Sequence, residues 1–235
     1  MVGGMTKTVA FVVYPGLTPL DLVGPLQVLS GLAQYDADYR AVVVGATKDA
    51  IDTDTPLRIA PSHTFDEITD PYAILVPGGT TPTLQAMSDE PLLAWLRTAG
   101  AGAELVTSVC TGSLILGAAG FLDGKKATSH WIMRDVLSAF GATPTAQRWV
   151  EDGKVITAAG VSAGIDLALH LVERLVGTEG ARLIQFMIEY DPEPPLGALD
   201  WAKQPYGDLK PLRELALREG LADNPALLEK LLAQA

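Results

Sequence analysis

The sequence contains a single cysteine, three histidines and few basic residues, and each scarcity excludes a class of protein. One cysteine cannot form a disulfide within the chain, and widely separated histidines show no metal-site spacing, so we expect no bound metal. The 17 basic residues against 28 acidic ones give a formal net charge of −11. Such a charge repels phosphate backbones and anionic membrane surfaces. Neither nucleic acid nor a membrane is therefore an expected partner.

Long uncharged runs are also missing, although 48% of the residues are hydrophobic and the mean hydropathy is +0.23. No apolar stretch reaches the roughly 18 to 20 residues that cross a bilayer. The N-terminus lacks the pattern of a secretory signal, which predicts a cytoplasmic location. A second methionine makes residues 1–5 resemble a cloning remnant. We expect one domain over residues 1–235, with residues 191–235 as a C-terminal extension packed on it.

Strand and helix patterns alternate along the first half of the chain. Continuous runs of β-branched and apolar residues are typical of strands buried on both faces. The runs at 8–16, 73–79 and 104–110 are each followed by a helical pattern, including one predicted helix over 83–99. Parallel strands joined by crossover helices satisfy this order, so the fold class is α/β, with a mostly parallel central sheet and helices on both faces. The predicted strands are 8–16, 41–47, 73–79 and 104–110.

The second half adds a hairpin, a long helix and a tail. The run 148–160 has a turn between two β-rich segments, which indicates a hairpin. The run 161–177 predicts a buried helix that ends at Gly177. Prolines between residues 51 and 65 interrupt any helical periodicity, so we expect an irregular excursion or a hairpin there. The proline-rich tail predicts extended chain followed by two short amphipathic helices.

Cys110 follows one of the predicted strands and precedes a predicted helix. Ser108 and Gly112 flank it at two residues on either side, as small residues do in a nucleophile elbow. A thiol at a helix N-terminus has a lowered pKa, so this cysteine is predicted to be a nucleophile near neutral pH. The alternative is a small buried hydrophobic residue without chemistry.

Two further stretches contain candidate site residues. Gly78 and Gly79 end a predicted strand, where glycine lets a backbone amide approach a neighbouring strand end and act as an oxyanion donor. An ordinary strand-to-helix turn is the alternative. Asp21 lies among leucines and a valine, so it is either a helix cap or a buried carboxyl with a raised pKa that transfers protons. The pattern alone leaves both open.

Four blocks of sequence, taken together and in the order in which they occur along the chain, resemble the ThiJ/PfpI family, and most closely its isocyanide hydratase branch. The resemblance extends from Thr8 to about Pro195. It implies a flavodoxin-like α/β sandwich, a homodimer, a catalytic cysteine at Cys110, an acidic partner at Asp21 and an oxyanion donor at Gly79. The blocks are YPGLTPLDLVGPLQVL, LVPGG, VTSVCTGSLILGAAGFLDGKKATSHW and AAGVSAGIDLALHLVE.

Two departures from the general family pattern indicate which branch of the family the sequence resembles. Thr111 stands where peptidase-like members have histidine, which excludes an adjacent Cys-His dyad. Asp21 is shorter than the glutamate of many relatives and leaves room above the sulfur, as in the isocyanide hydratases. The Thr111 hydroxyl is expected either to bond Asp21 or to cap the following helix. His130, at the end of a short predicted strand, either approaches the cysteine in a secondary role or is structural.

The resemblance implies a cofactor-independent isocyanide hydratase that forms an N-substituted formamide through a cysteine thioimidate. The leucine-rich surroundings of the site suit an isocyanide with an apolar substituent. Two alternatives stay open: a ligand-sensing domain without catalysis, and a glyoxalase or deglycase. Regulators with similar blocks continue into helix-turn-helix motifs. The roughly 40 residues after Pro195 are too few for two such motifs, and they carry six acidic against five basic residues.

Overall fold

A computed structural model describes residues 6–203 and 208–234; the predicted cloning remnant lies outside these ranges. The strands are β1 (Lys7–Val12), β2 (Tyr39–Gly45), β3 (Ile51–Asp52), β4 (Arg58–Ile59), β5 (His63–Thr64), β6 (Ala73–Val76), β7 (Leu105–Ser108), β8 (Lys126–Ala127), β9 (Thr143–Pro144), β10 (Trp149–Asp152) and β11 (Val155–Ala158). The α-helices are α1 (Pro19–Tyr35), α2 (Thr81–Ala86), α3 (Glu90–Gly102), α4 (Gly112–Ala118), α5 (Ala163–Met187), α6 (Lys210–Gly220) and α7 (Pro225–Leu232).

Seven strands form the central sheet, in the order β10-β11-β7-β6-β1-β2-β5. All neighbours are parallel except β10 and β11, which form the predicted hairpin. Every residue of β6, β7 and β11 is buried, as strands covered on both faces are. Helices α1 and α5 pack against each other, and α4 packs against α2 and α3. The predicted flavodoxin-like α/β class is confirmed.

The segment between β2 and β6, which the sequence predicts to be an irregular excursion or a hairpin, contains three short strands in two separate pairings. Strands β3 and β4 form a small antiparallel ribbon outside the main sheet. Strand β5 then joins the sheet edge beside β2 in parallel. This arrangement agrees with the sequence pattern, in which prolines prevent a helix.

One of two helix predictions was wrong in its boundaries. The single helix expected over 83–99 is two helices, because Asp89 begins α3 as its N-cap and accepts a hydrogen bond from the Leu92 amide at 3.1 Å. Helix α5 consists of two helical segments that meet at a kink at Gly177, where the backbone has φ 84° and ψ 170°, so the first segment ends at Gly177 as the sequence predicts. Glycine adopts such a conformation without the steric cost that other residues pay.

The tail contains the two amphipathic helices that the sequence predicts. Helix α6 packs on α2, and a Cβ added at Gly220 would lie only 2.6 Å from the Leu84 Cβ. Leu217 of α6 and Leu231 of α7 are buried. None of the helices in the described ranges combines the length and apolarity that a bilayer span requires.

Candidate active site

Cys110 occupies the turn between β7 and α4, at the carboxyl edge of the parallel sheet. Its φ is +58°, a left-handed conformation that is uncommon outside glycine, and the residue is 4% exposed. Its amide donates to the carbonyls of Ala158 and Ala159 at 3.2 and 3.0 Å. The hydroxyls of Ser113 and Ser129 both donate to its carbonyl at 3.1 Å. The turn is therefore fixed from both sides, as an elbow that presents a nucleophile must be.

Glycines allow the end of β6 to approach this elbow. A Cβ added at Gly112 would lie 2.2 Å from the Val76 carbonyl oxygen, and one at Gly78 would lie 2.5 Å from the Thr111 amide nitrogen. Real Cβ atoms do not tolerate such distances, so both positions require glycine. Ser108, at the other flank, is fully buried, as the tight turn predicts.

Asp21 is fully buried in the first turn of α1. Its Oδ2 accepts a hydrogen bond from the Gly78 amide at 2.9 Å, whereas Oδ1 has no partner with full hydrogen-bond geometry among the described residues. Burial raises the pKa of this carboxyl to about 7, against the lowering effects of Gly78 and of the Cys110 thiol; the charge of Asp54 raises it further. Of the two alternatives, the structure supports the buried carboxyl with a raised pKa, because the N-cap of α1 is Thr18 and not Asp21.

The pKa of the Cys110 thiol is raised to about 12, chiefly by burial and then by the charge of Asp21. Amide groups of Val161 and Thr111 hydrogen-bond the sulfur and oppose this rise. The predicted lowering of the pKa was wrong. Helix α4 is only seven residues long, and its N-terminal field does not outweigh desolvation and a neighbouring carboxylate.

The Thr111 hydroxyl bonds the second glycine of the pair. It donates to the Gly79 carbonyl at 2.7 Å and lies 2.9 Å from the Gly79 amide, which donates to it. It makes neither the predicted bond to Asp21 nor a helix-capping bond. The amides of Gly78 and Gly79 are therefore both engaged within the site, by Asp21 and Thr111. The amides directed at the sulfur are those of Thr111 and Val161.

A cavity of about 270 Å³ opens onto Cys110, Thr111 and Gly79. His130 lines it together with Cys110, and burial lowers the pKa of this histidine, which favours the neutral ring. The described residues contain no cluster of three or more metal-binding side chains. The cavity is lined by Thr18, Gly79, Thr80, Thr81, Leu84, Cys110, Thr111, His130, Ile132, Met133, Val161, Leu212, Arg213 and Ala216.

Several residues at this site were not predicted from sequence. Val161 has φ +30°, which is strained for a β-branched residue, and nothing in the run before α5 signals it. Ser129 was not recognised as an elbow contact, although its hydroxyl bonds the Cys110 carbonyl. Leu212, Arg213 and Ala216 come from α6, about 100 residues after the cysteine. Only the fold brings that helix to the cavity.

Comparison with known proteins places the chain in a family. The sequence model of the DJ-1/PfpI family matches residues 7–174. The chain belongs to the DJ-1/PfpI family. It is 42% identical over 191 residues to the isonitrile hydratase of Pseudomonas putida, covering 81% of this chain and 82% of that protein. A ThiJ/PfpI family protein from Pseudomonas syringae superimposes with a TM-score of 0.79 at 41% identity, covering 97% and 90% of the two chains.

A more distant relative belongs to another functional class. The HTH-type transcriptional regulator CdhR of Pseudomonas aeruginosa is 28% identical over 178 residues, covering 74% of this chain but 52% of the regulator. The part that matches the DJ-1/PfpI family contains Asp21, Cys110, His130 and Val161. Helix α6 lies outside it, so the family match carries no information about the cavity residues of α6.

Proposed function

We propose that the protein is a cofactor-independent isocyanide hydratase, which combines R–NC with water to give an N-substituted formamide. The observation that carries this proposal is a buried thiol at Cys110 beside a buried carboxyl at Asp21 whose pKa is about 7, next to a small cavity. The 42% identity to the Pseudomonas putida isonitrile hydratase supports it. Isonitrile and isocyanide are two names for the same functional group.

The first step requires a soft nucleophile and a proton at the isocyanide carbon. Burial raises the pKa of both groups, so the pair shares a proton near neutral pH. As the sulfur attacks, Asp21 accepts the thiol proton and passes it to the isocyanide carbon. The S–H bond breaks, C–S and C–H bonds form, and the product is the thioimidate R–N=CH–S on Cys110.

The second step uses the same carboxylate as a base. Asp21 accepts a proton from a water whose oxygen bonds to the thioimidate carbon, and it passes that proton to the substrate nitrogen. As the C–S bond of R–NH–CH(OH)–S breaks, the hydroxyl becomes the carbonyl of R–NH–CHO, and its proton passes through Asp21 to the departing sulfur. The amides of Thr111 and Val161 stabilise the negative charge on sulfur as it departs. Addition of water changes no oxidation state, so the reaction needs no electron-carrying cofactor.

The test is incubation with cyclohexyl isocyanide while N-cyclohexylformamide is followed by mass spectrometry. We expect formamide at a rate well above buffer alone, and an adduct on Cys110 with the mass of the thioimidate. Cys110→Ala should abolish turnover with the fold intact, because it removes the nucleophile and little packing volume. A folded Cys110→Ala variant with wild-type turnover would refute the mechanism.

Two alternative functions would use the same cavity, and product assays with an isocyanide and with methylglyoxal separate them. A ligand-sensing domain, the alternative to which the similarity with CdhR points, would bind an isocyanide without releasing formamide. A glyoxalase would convert methylglyoxal to lactate through Cys110. Formamide production without lactate production would select the hydratase.

A further inference from the structure

Arg213 is the one permanently charged residue among those that line the active-site cavity in the described part of the chain. It lies on α6 and is half-buried. Its Nη1 donates to the Ile132 carbonyl at 3.1 Å. Its Nε is buried and has no hydrogen-bond partner among the described residues.

No carboxylate of the described chain neutralises this guanidinium. The ion pairs formed by residues 6–203 and 208–234 do not include Arg213, although the neighbouring Lys210 and Glu214 form one on the same helix. A buried donor without an acceptor destabilises the fold, and more so on a charged group. A single bond to a backbone carbonyl leaves most of the five guanidinium donors for another acceptor.

We infer that Arg213 is a specificity-determining residue that binds a carboxylate on the substituent of the isocyanide. This inference rests on the proposed function. A guanidinium pairs with a carboxylate through two parallel hydrogen bonds, a geometry that a neutral group matches less well. The chemical class of substrate is a short aliphatic chain with an isocyano group at one end and a carboxylate at the other.

The rest of the cavity suits such a molecule. Leu84, Met133 and Leu212 supply apolar surface for the chain, and Cys110 lies on the same cavity for the isocyano group. A volume of about 270 Å³ holds a small linear substrate. The product would be an N-formyl amino carboxylate. The purely apolar substituent predicted from the leucine-rich sequence is replaced by an apolar chain with a charged end.

Steady-state kinetics with a matched substrate pair test the inference. The ω-isocyano carboxylates of two to six methylenes are compared with the corresponding primary amides, which have the same number of heavy atoms. For the best chain length, we expect the wild type to prefer the carboxylate by at least about 10-fold in kcat/KM, as charged hydrogen bonds provide. Arg213→Gln should lose this preference through KM, while Arg213→Lys should retain part of it.

The control is Arg218→Gln, which removes an exposed arginine from the same helix. It should keep the wild-type preference, so that a general effect of net charge is distinguished from binding at Arg213. Equal loss of activity on both substrates in Arg213→Gln would show a structural role and would overturn the inference. Equal wild-type rates for carboxylate and amide at every chain length would also overturn it.

A second readout does not depend on hydratase activity. Alkylation of Cys110 by iodoacetamide is measured with and without pentanoate or pentanamide. Pentanoate should slow alkylation of the wild type and of Arg218→Gln, pentanamide should not, and neither should protect Arg213→Gln. Protection without isocyanide turnover would reject the proposed function and leave the anion site intact. Turnover combined with equal protection by acid and amide would reject Arg213 as that site.

Discussion

Asp21 and Cys110 are two acids that share one buried space, and each alters the ionisation of the other. Their titration therefore belongs to the pair. A single proton can stand on sulfur or on oxygen without any change in net charge. The nucleophilic arrangement, thiolate with carboxylic acid, is reached by moving that proton within the site. A thiol with a high pKa is thereby compatible with catalysis near neutral pH.

The carboxyl of Asp21 is expected to be the proton carrier. Asp21→Asn keeps an oxygen that can accept the Gly78 amide bond but cannot cycle a proton, so formamide turnover should fall by at least ~100-fold. Asp21→Glu keeps the acid but extends it towards the substrate, and should retain more activity on small isocyanides than on bulky ones. In the wild type, kcat/KM should rise with pH through about 7, as the carboxyl ionises.

Circular dichroism provides the folding control for both variants. A folded Asp21→Asn protein that keeps the wild-type rate, or the same pH profile, would show that Asp21 takes no part in proton transfer.

The raised pKa of Asp21 also predicts how stability depends on pH. The value rises from 3.8 to about 7 on folding, so between these pH values the native state binds more protons than the unfolded state. The free energy of unfolding of the wild type should therefore fall as pH rises through this window. Asp21→Asn has no carboxyl at this position and should not lose stability in this way. Its free energy of unfolding relative to that of the wild type should therefore increase by roughly 2–4 kcal/mol as the pH rises from 3.8 to about 7.

Urea unfolding across the pH range measures this difference. Below about pH 3, where the carboxyl is protonated in both states, the stability difference between the two proteins should no longer change with pH. Parallel stability curves for wild type and variant would contradict a raised pKa.

At the scale of elements, α5 depends on one backbone conformation. Gly177 has φ 84° and ψ 170°, a region that is almost confined to glycine, and no atom lies within 4 Å of the position of an added Cβ. Gly177→Ala should lower the free energy of unfolding by about 1–3 kcal/mol through backbone strain alone. Glu179→Ala, at an exposed position two residues later, should change it by less than about 0.5 kcal/mol.

Chemical denaturation of both variants provides the measurement. Stabilisation by Gly177→Ala would mean that α5 is a continuous helix in solution.

The elements that the sequence predicts correctly are those with local signals. Strands such as β6 and β7 are uninterrupted apolar runs between turn residues, and any sheet that buries both faces needs such runs. The division between α2 and α3 was missed although its signal is local. Asp89 is a favoured N-cap residue, and Pro91 stands in the first turn of α3, where proline is favoured.

The site was predicted in part for a similar reason. The small residues around Cys110 are a local requirement of the elbow, and an aspartate among leucines at position 21 is a local anomaly. The bond between Thr111 and Gly79 joins positions 32 residues apart, and the arrival of α6 at the cavity depends on the whole fold. The sign of the thiol pKa shift depends on burial, which no short stretch of sequence reveals.

At the scale of the whole molecule, we expect a homodimer. Helix α1 exposes Leu20 and Val23, at 44% and 40%, and the end of α5 exposes Phe186 and Met187, at 73% and 76%. Exposed apolar surface of this kind favours contact with a second copy. Light scattering coupled to size exclusion should give about twice the 24.8 kDa chain mass at every loading concentration. A monomer mass over a tenfold dilution series would contradict the prediction.

The two edges of the central sheet have a consequence for aggregation. One edge, β5, is two residues long, and the other, β10, carries Glu151 and Asp152, the latter bonded to the amide of Lys126. Short or charged edges offer a poor template for a further strand from another molecule. The highly apolar strands inside the sheet are therefore shielded from fibril-like growth, and concentrated protein should assemble through its helices.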